Sequence, residues 1–231
     1  MRYMLATFSL VATLAVATVA FMVMESPSAN AEEAYQAGVH YQVLSQPVPT
    51  SDPNKIEVTE VFWYGCGHCF HFEPMLQQWK KTLPDDVVFV QSPAIWNAPM
   101  EVHAKAFYTA KALGKLEEMH QPLFNALNLE KKRLTDEKSL AVFFSDFGVD
   151  EATFEKTFRS FGVVSQVNIA NSRARGYGVE GTPELVVNGQ YRVSARLAGS
   201  QENMLKVAQF LVDKIRAEHS AAAAMATKTS S

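Results

Sequence analysis

Residues 56–64 read Ile-Glu-Val-Thr-Glu-Val-Phe-Trp-Tyr, rich in β-branched and aromatic types, and predict a buried strand ending at Gly65. Phe70, Phe72, Met75, Leu76 and Trp79 then recur at mixed helical spacing, so a helix should open directly after the strand. Val87 to Val90 predicts a second strand, completing a β-α-β unit. From Ala98 onward the pattern is helical. One helix is stopped by Gly114, and a second over residues 115–127 should be broken or bent near Pro122. A third is capped by Thr135 and runs to Phe147, with Gly148 just past its end. A short fourth is capped by Asp150 and runs through Phe158, and a fifth covers about 163–175. Strands return at 184–187 and 190–193 around Asn188-Gly189, the signature of a hairpin with a type I′ turn. Ser200 caps a last helix to about Arg216, and the Ala-, Ser- and Thr-rich segment beyond it reads as disordered.

This order predicts an α/β protein in which helices interrupt a mixed sheet domain. The expected divisions are a first sheet part over 39–97, a helical insertion over 98–162, a second sheet part over 163–218 and a disordered tail over 219–231. Residues 32–41 read as a short polar leader, followed by a proline-punctuated loop. The 231 residues, 48% hydrophobic and 19% charged, suit a globular domain with a real core. A net charge of -3 gives no electrostatic reason to expect nucleic acid as a partner.

The first residues resemble a targeting segment. Arg2 precedes an apolar run over 5–24, and Ala29-Asn30-Ala31 fits a small-x-small cleavage site, which would make 1–31 a signal peptide. The alternative is an uncleaved anchor, because the run is nearly long enough to span a bilayer. Either reading takes the remainder out of the cytoplasm.

Only two cysteines exist, in Cys66-Gly67-His68-Cys69, between the predicted strand and helix. Secreted scaffolds stapled by disulfides are small and cysteine-dense, so this pair points to chemistry. A thiolate, not a thiol, attacks disulfides. At a helix N-terminus Cys66 would meet free backbone N–H groups and the positive end of the helix dipole. His68 would add a polar group, cationic when protonated. Cys69, one turn on, would be the buried resolving sulfur. Other readings weigh less. A closed zinc site needs four ligands, and no second cysteine cluster exists. Attachment of c-type haem needs His directly after the second Cys, where Phe70 stands. An inert disulfide here would close only a tiny loop and constrain the unfolded chain little.

The run Phe62-Trp63-Tyr64-Gly65-Cys66-Gly67-His68-Cys69, with Gly181-Thr182-Pro183 far downstream, resembles the DsbA family of bacterial periplasmic thiol–disulfide oxidoreductases. The resemblance covers roughly 39–216. It implies a thioredoxin fold with an inserted all-helical domain, no cofactor and no metal. It implies disulfide donation to unfolded exported proteins in the periplasm, and reoxidation by a quinone-linked membrane partner of the DsbB type. By the same resemblance Cys66, Cys69 and His68 are the catalytic group. Pro183 is a cis-proline facing the cysteines, Thr182 contacts substrate, and Glu60 is a buried acid beneath the site that tunes or relays protons to Cys69. Pro74 resembles the kink proline of thioredoxins. The family's best-known motif has proline where Gly67 stands, and Cys-Gly-His-Cys is instead the motif of protein disulfide isomerases. A disulfide isomerase or reductase is therefore the nearest alternative, and a secreted binding protein on the same scaffold a more distant one. His71 reads as a helix-surface histidine rather than a catalyst, and His40, His103, His120 and His219 show no ligand spacing. Phe143, Phe144, Phe147, Phe154, Phe158 and Phe161 read as helical core.

Overall fold

The structure, a computed structural model, describes residues 34–229, with side chains to residue 226. The expected signal peptide and its cleavage site lie outside the described residues. A five-stranded sheet has the order β1-β5-β4-β2-β3. Its strands are β1 (Gln42–Val43), β2 (Ile56–Phe62), β3 (Val87–Pro93), β4 (Glu184–Val187) and β5 (Tyr191–Ser194). Strand β2 pairs parallel with β3 and antiparallel with β4, so it lies inside the sheet. All seven of its residues are buried, the polar Glu57, Thr59 and Glu60 among them. The parallel partner requires a crossover, supplied by α1 (Gly67–Lys80).

Alternation along β2 sends its side chains to two different layers. Ile56 and Val58 pack with Phe72 and Leu76 of α1 and with Met204, Ala208 and Leu211 of the last helix. On the other face Val61 packs with Ala174 and Tyr177. The helical segment comprises α2 (Ala98–Ala112), α3 (Leu116–Asn128), α4 (Glu137–Ser145), α5 (Glu151–Phe158) and α6 (Phe161–Gly176). Its core of Phe107, Phe124, Phe144 and Phe154 continues without a break into Phe62, Tyr64 and Cys69. Chain entry into the hairpin follows the turn chemistry: Asn188 and Gly189 both have positive φ, at 51° and 62°, as a type I′ turn requires. Gly189 is also sterically necessary, since a Cβ there would lie 1.9 Å from the Val48 carbonyl oxygen.

Several expectations are corrected. Asp136, not Thr135, caps α4, accepting from the Ser139 N–H at 2.7 Å, and α4 ends at Ser145 rather than Phe147. Pro122 does not break α3; the buried Met119, His120, Leu123 and Phe124 hold its stripe against the core, and packing outweighs one missing hydrogen bond. Pro74, by contrast, lies within α1 as expected. Phe161 is exposed rather than core. Strand β1, inside the proline-rich entry, is too short to leave a periodic signal. The last helix, α8 (Gln201–Thr229), follows the short α7 (Ala195–Ala198) and runs well past Arg216 into the segment expected to be disordered. Alanine is the strongest helix former, and residues 221–224 are all alanine; this extension is exposed and carried by propensity. Within α2–α6, the Asp150 and Gly148 signals hold, with Asp150 accepting from Thr153 N–H at 2.9 Å and Gly148 at φ 75°.

One buried ion pair fastens α6 to the sheet. Glu57 of β2 is fully buried and pairs with Arg173 of α6. Its carboxylate also accepts from Ser51 N–H at 2.8 Å, Ser51 Oγ at 2.5 Å and Thr59 Oγ1 at 2.9 Å. Burial pushes the carboxyl up, but the Ser51 bonds and the Arg173 guanidinium outweigh it and hold it below its usual range. Arg173→Leu is expected to lower stability to urea by about 3 kcal/mol at neutral pH, because it strands a buried carboxylate. A carboxyl with a depressed pKa stabilises the fold above its ordinary value of 4.5, and that contribution fades as pH falls. The difference between wild type and variant should therefore narrow in acid. An equal difference at pH 7 and in acid would show that the pair is not what the substitution removes.

Candidate active site

Strand β2 ends at Phe62, and the turn that follows delivers Cys66 to the first position before α1. Cys66 N–H donates to the Trp63 carbonyl at 3.0 Å, closing that turn. The Trp63 ring lies over Gly65, where a Cβ would come within 2.4 Å of it. The indole is itself pinned: its Nε1–H donates to His103 Nδ1 at 2.9 Å, and His103 Nε2 meets the Leu134 carbonyl at 3.0 Å. With Nδ1 accepting, the Nε2–H tautomer is the one that satisfies both bonds. Burial pushes the His103 pKa down to about 4, so this pin is neutral at physiological pH. From the helical segment, Asn128 Nδ2 donates to the Tyr64 carbonyl at 2.7 Å.

Cys66 is the N-cap of α1, with extended backbone (φ -87°, ψ 115°). Its sulfur accepts from Cys69 N–H at 3.4 Å, the role an Asp or Ser oxygen plays at other helix starts. The sulfur is half-buried, whereas Cys69 is fully buried, and both are free thiols in this structure. The two titrate in opposite directions. Hydrogen bonding from the Cys69 thiol, then from the Thr182 side chain and the backbone N–H groups of Cys69 and His68, outweighs desolvation and lowers the Cys66 pKa to about 5. Cys69 is pushed far up by burial, by donating its own proton to Cys66, and by the Glu60 carboxyl nearby.

The structure brings Thr182–Pro183 to this pair. The peptide bond is cis, and the Cys66 thiol reaches the Thr182 carbonyl at 3.3 Å across 116 residues of chain. Pro183 is buried and Thr182 half-buried. A cavity of about 210 Å³ flanks this loop, lined by Glu180, Gly181, Thr182, Pro183, Ser194 and Arg196. His68 is exposed, and it acts on the Cys66 sulfur here through its backbone N–H rather than through its ring. Its carbonyl accepts from Gln201 Nε2 at 2.8 Å, tying the start of α1 to α8.

Beneath the sulfurs lies a polar floor that the sequence did not announce, apart from Glu60. Glu60 is fully buried and accepts from Gln91 Nε2 at 2.9 Å. Burial, then the Glu73 carboxylate, raise its pKa well above the usual range. Glu73 of α1 is also buried; its Oε1 accepts from Gln77 Nε2 at 2.5 Å and lies 3.2 Å from His120 Nε2. The other ring nitrogen of His120 meets the Tyr64 hydroxyl at 2.7 Å. Glu73 sits seven residues after Cys66, the helical spacing that returns to the same face, and that spacing is the one signal that could have found it. No sequence signal links Gln91 and His120 to it, because they arrive from β3 and α3. Among the described residues no cluster of three or more His, Cys, Asp or Glu side chains has the form of a metal site.

Comparison with known proteins places this geometry. The DSBA-like thioredoxin domain family matches residues 93–208. The thiol:disulfide interchange protein DsbA of Pseudomonas aeruginosa is 43% identical over 183 residues, covering 79% of this chain and 87% of that protein. DsbA of Bordetella parapertussis is 38% identical over 204 residues, covering 88% of this chain and 95% of the relative. Among solved structures, that of Pseudomonas aeruginosa DsbA aligns with a TM-score of 0.77 at 42% identity, over 80% of this chain and 97% of the other. The structure of the oxidoreductase DsbA from Xylella fastidiosa aligns with a TM-score of 0.75 at 31% identity, over 79% and 98%. A thioredoxin fold with its helical insertion, a Cys-x-x-Cys pair at the start of α1 and relatives that align over nearly their whole length lead to one assignment: the chain belongs to the DsbA family of thiol:disulfide interchange proteins.

Proposed function

We propose that this chain is a protein-disulfide oxidoreductase that donates the Cys66–Cys69 disulfide to exported proteins. The observation that carries the reading is the placement of the two sulfurs on one helical turn: Cys66 half-buried at the N-cap and accepting from Cys69 N–H, Cys69 fully buried behind it. In the donating direction a substrate thiolate attacks Cys66 Sγ, the Cys66–Cys69 bond breaks, and Cys69 leaves and takes up a proton. A second substrate thiolate then attacks the substrate sulfur of the mixed disulfide. Cys66 leaves as a thiolate into its cap of N–H groups, and the substrate carries the new disulfide. A stabilised leaving thiolate favours this direction. Cys66, half-buried where Cys69 is fully buried, is thus the reacting sulfur and Cys69 the resolving one. Thr182 and Pro183 border the reacting sulfur and offer backbone to an extended substrate segment. Glu60 is the acid beneath Cys69, and His68 shapes the cap through its amide. By family resemblance the two electrons pass on to a DsbB-like, quinone-linked membrane oxidase. The same resemblance and the apolar N-terminal run support export to the periplasm with cleavage after Ala31; among the described residues no helix is long and apolar enough to cross a membrane.

Two measurements check this reading. Brief alkylation of the reduced protein at pH 6, followed by peptide mapping, should label Cys66 and spare Cys69. Cys69→Ala should then accumulate mixed disulfides with reduced client proteins through Cys66, whereas Cys66→Ala should accumulate none. Label on Cys69 would reverse the assignment.

Reduced and oxidised protein should also differ in thermal stability. The Cys66 pKa falls from an ordinary 9.0 to about 5 in the fold. A depressed acid stabilises the fold fully above its unfolded value, and the benefit is lost as pH falls through the folded value. The oxidised form has no such group. Reduced protein is therefore expected to unfold at a higher temperature than oxidised protein at neutral pH, with the gap shrinking towards pH 5 and below. A more stable oxidised form at neutral pH would favour a reductase.

A further inference from the structure

Thr182 borders the reacting sulfur, and its position depends on the loop that carries it. That loop leaves α6 after Gly176, turns at Gly178 with φ 61°, and re-enters the sheet at Glu184, the first residue of β4. A carboxylate is out of keeping with its neighbours there. Glu184 is 4% exposed, and Leu185, Val186 and Val187 that follow it are fully buried. Burying a charge is costly unless it is paired and hydrogen-bonded. The two oxygens of Glu184 divide that work.

Oε1 faces the loop. It accepts from Glu180 N–H at 3.4 Å, and Gly181 N–H is a second donor to the carboxylate. These are the two amides immediately before Thr182. Oε2 faces Arg192 of β5, 3.5 Å from its Nε, and neither atom has a hydrogen bond among the described residues. Strand register explains the pairing. Glu184 stands opposite Ser194 and Val186 opposite Arg192, so Glu184 and Arg192 are diagonal neighbours on one face. It is the face on which Val186 packs with Val61, Ala174 and Tyr177. Arg192 is itself 5% exposed; it donates to Gln42 of β1 and lies 3.6 Å from Glu180 Oε2. Burial raises the Glu184 pKa more than Arg192 and the two amides lower it. The amides need an acceptor oxygen rather than a charge, so a glutamine could serve them equally.

Building on the exchange reaction proposed above, we infer that Glu184 is a positioning residue: backed by Arg192, it holds the amides of Glu180 and Gly181 and so fixes Thr182 against Cys66 and against the backbone of an incoming protein substrate. The loop's other attachments lie to either side of these amides. Upstream, Gly178 N–H and Val179 N–H donate to the Arg175 and Ala174 carbonyls at the end of α6. Downstream, β4 pairs with β2 and β5 from Glu184 onward. The Glu180–Arg196 contact at 3.6 Å joins two exposed side chains, and such a surface pair holds little. The buried carboxylate is thus the tether of the stretch that reaches the sulfur. A small thiol needs only access to Cys66. An extended polypeptide must also lie along Thr182, and a loop displaced by an ångström no longer presents that backbone to it.

The test follows the oxidised full chain by stopped-flow tryptophan fluorescence as each of two reductants reduces it: a synthetic extended peptide carrying two cysteine thiols, and dithiothreitol, which has no backbone to place. The readout is the ratio of the two second-order rates. Glu184→Ala is expected to lower the peptide rate by about tenfold or more relative to the dithiothreitol rate. Glu184→Gln keeps an oxygen for the two amides and should keep the wild-type ratio, although the charge facing Arg192 is gone. An unchanged ratio in Glu184→Ala would overturn the proposal, since a general loss of stability does not distinguish the two thiols. A ratio that falls as far in Glu184→Gln as in Glu184→Ala would also overturn it, and would leave the carboxylate as a partner of Arg192 only. Should Glu184→Ala not fold, the double variant Glu184→Ala with Arg192→Met removes both buried charges together with the same acceptor. A fallen ratio there supports the tether, and a wild-type ratio refutes it. Wild type separates this inference from the one beneath it. If wild type exchanges with neither thiol, the oxidoreductase reading falls; if it exchanges with both and the variants keep its ratio, only the positioning role of Glu184 falls.

Discussion

The first turn of α1 leaves backbone N–H groups without an intrahelical partner, and the sulfur of Cys66 accepts one of them at 3.4 Å. Much of the surrounding architecture serves that contact. The buried strand β2 and the Trp63 turn place the cysteine at the cap. Gly65 allows the indole to lie over the turn, and His103 fixes the indole from α2. Asn128 and Gln201 then tie the turn and the helix start to α3 and α8. The helical segment therefore buttresses the cap while the sheet supplies its position.

The same helical turn separates two chemically identical side chains. Cys66 faces amide donors and partial solvent; Cys69 faces the aromatic core and the buried acid Glu60. Burial works against both ionisations, but only at Cys66 do enough donors converge to reverse it. That asymmetry gives the proposed exchange its direction and creates its need for a proton beneath Cys69. It also accounts for buried polar side chains in an otherwise apolar floor. Each is costly to desolvate, and each is matched by at least one hydrogen bond or charge contact from another element.

Legibility in the sequence followed the range of the interaction. Elements written by local periodicity and turn chemistry were readable: strand β2, the Asn188-Gly189 turn, the Asp150 cap and the helical block. The Cys-x-x-Cys pair was readable because its spacing fits one turn. Errors arose where two local signals competed, as between Thr135 and Asp136, or where packing overrode a breaker, as at Pro122. The alanine tail was misread because low complexity and high helix propensity coincide there. The approach of Thr182–Pro183 to Cys66 came only through family resemblance, since nothing local in Gly-Thr-Pro states its partner. Glu73, Gln91 and His120 converge from three elements and stayed invisible for that reason. Gly67 illustrates the reverse: a Cβ at this exposed position meets nothing within 4 Å, so the residue is free of steric demand, and its effect is on the stiffness of the cap.

The account rests on Cys66 being a thiolate held by the helix cap. Its most direct test is the ultraviolet thiolate absorbance of the reduced protein followed against pH, with Cys66→Ser as the blank. A transition near pH 5, absent in the variant, is the result expected from the geometry. A transition near the ordinary cysteine value of 9.0 would contradict it, since the cap would then hold a neutral thiol and give the disulfide no tendency to leave.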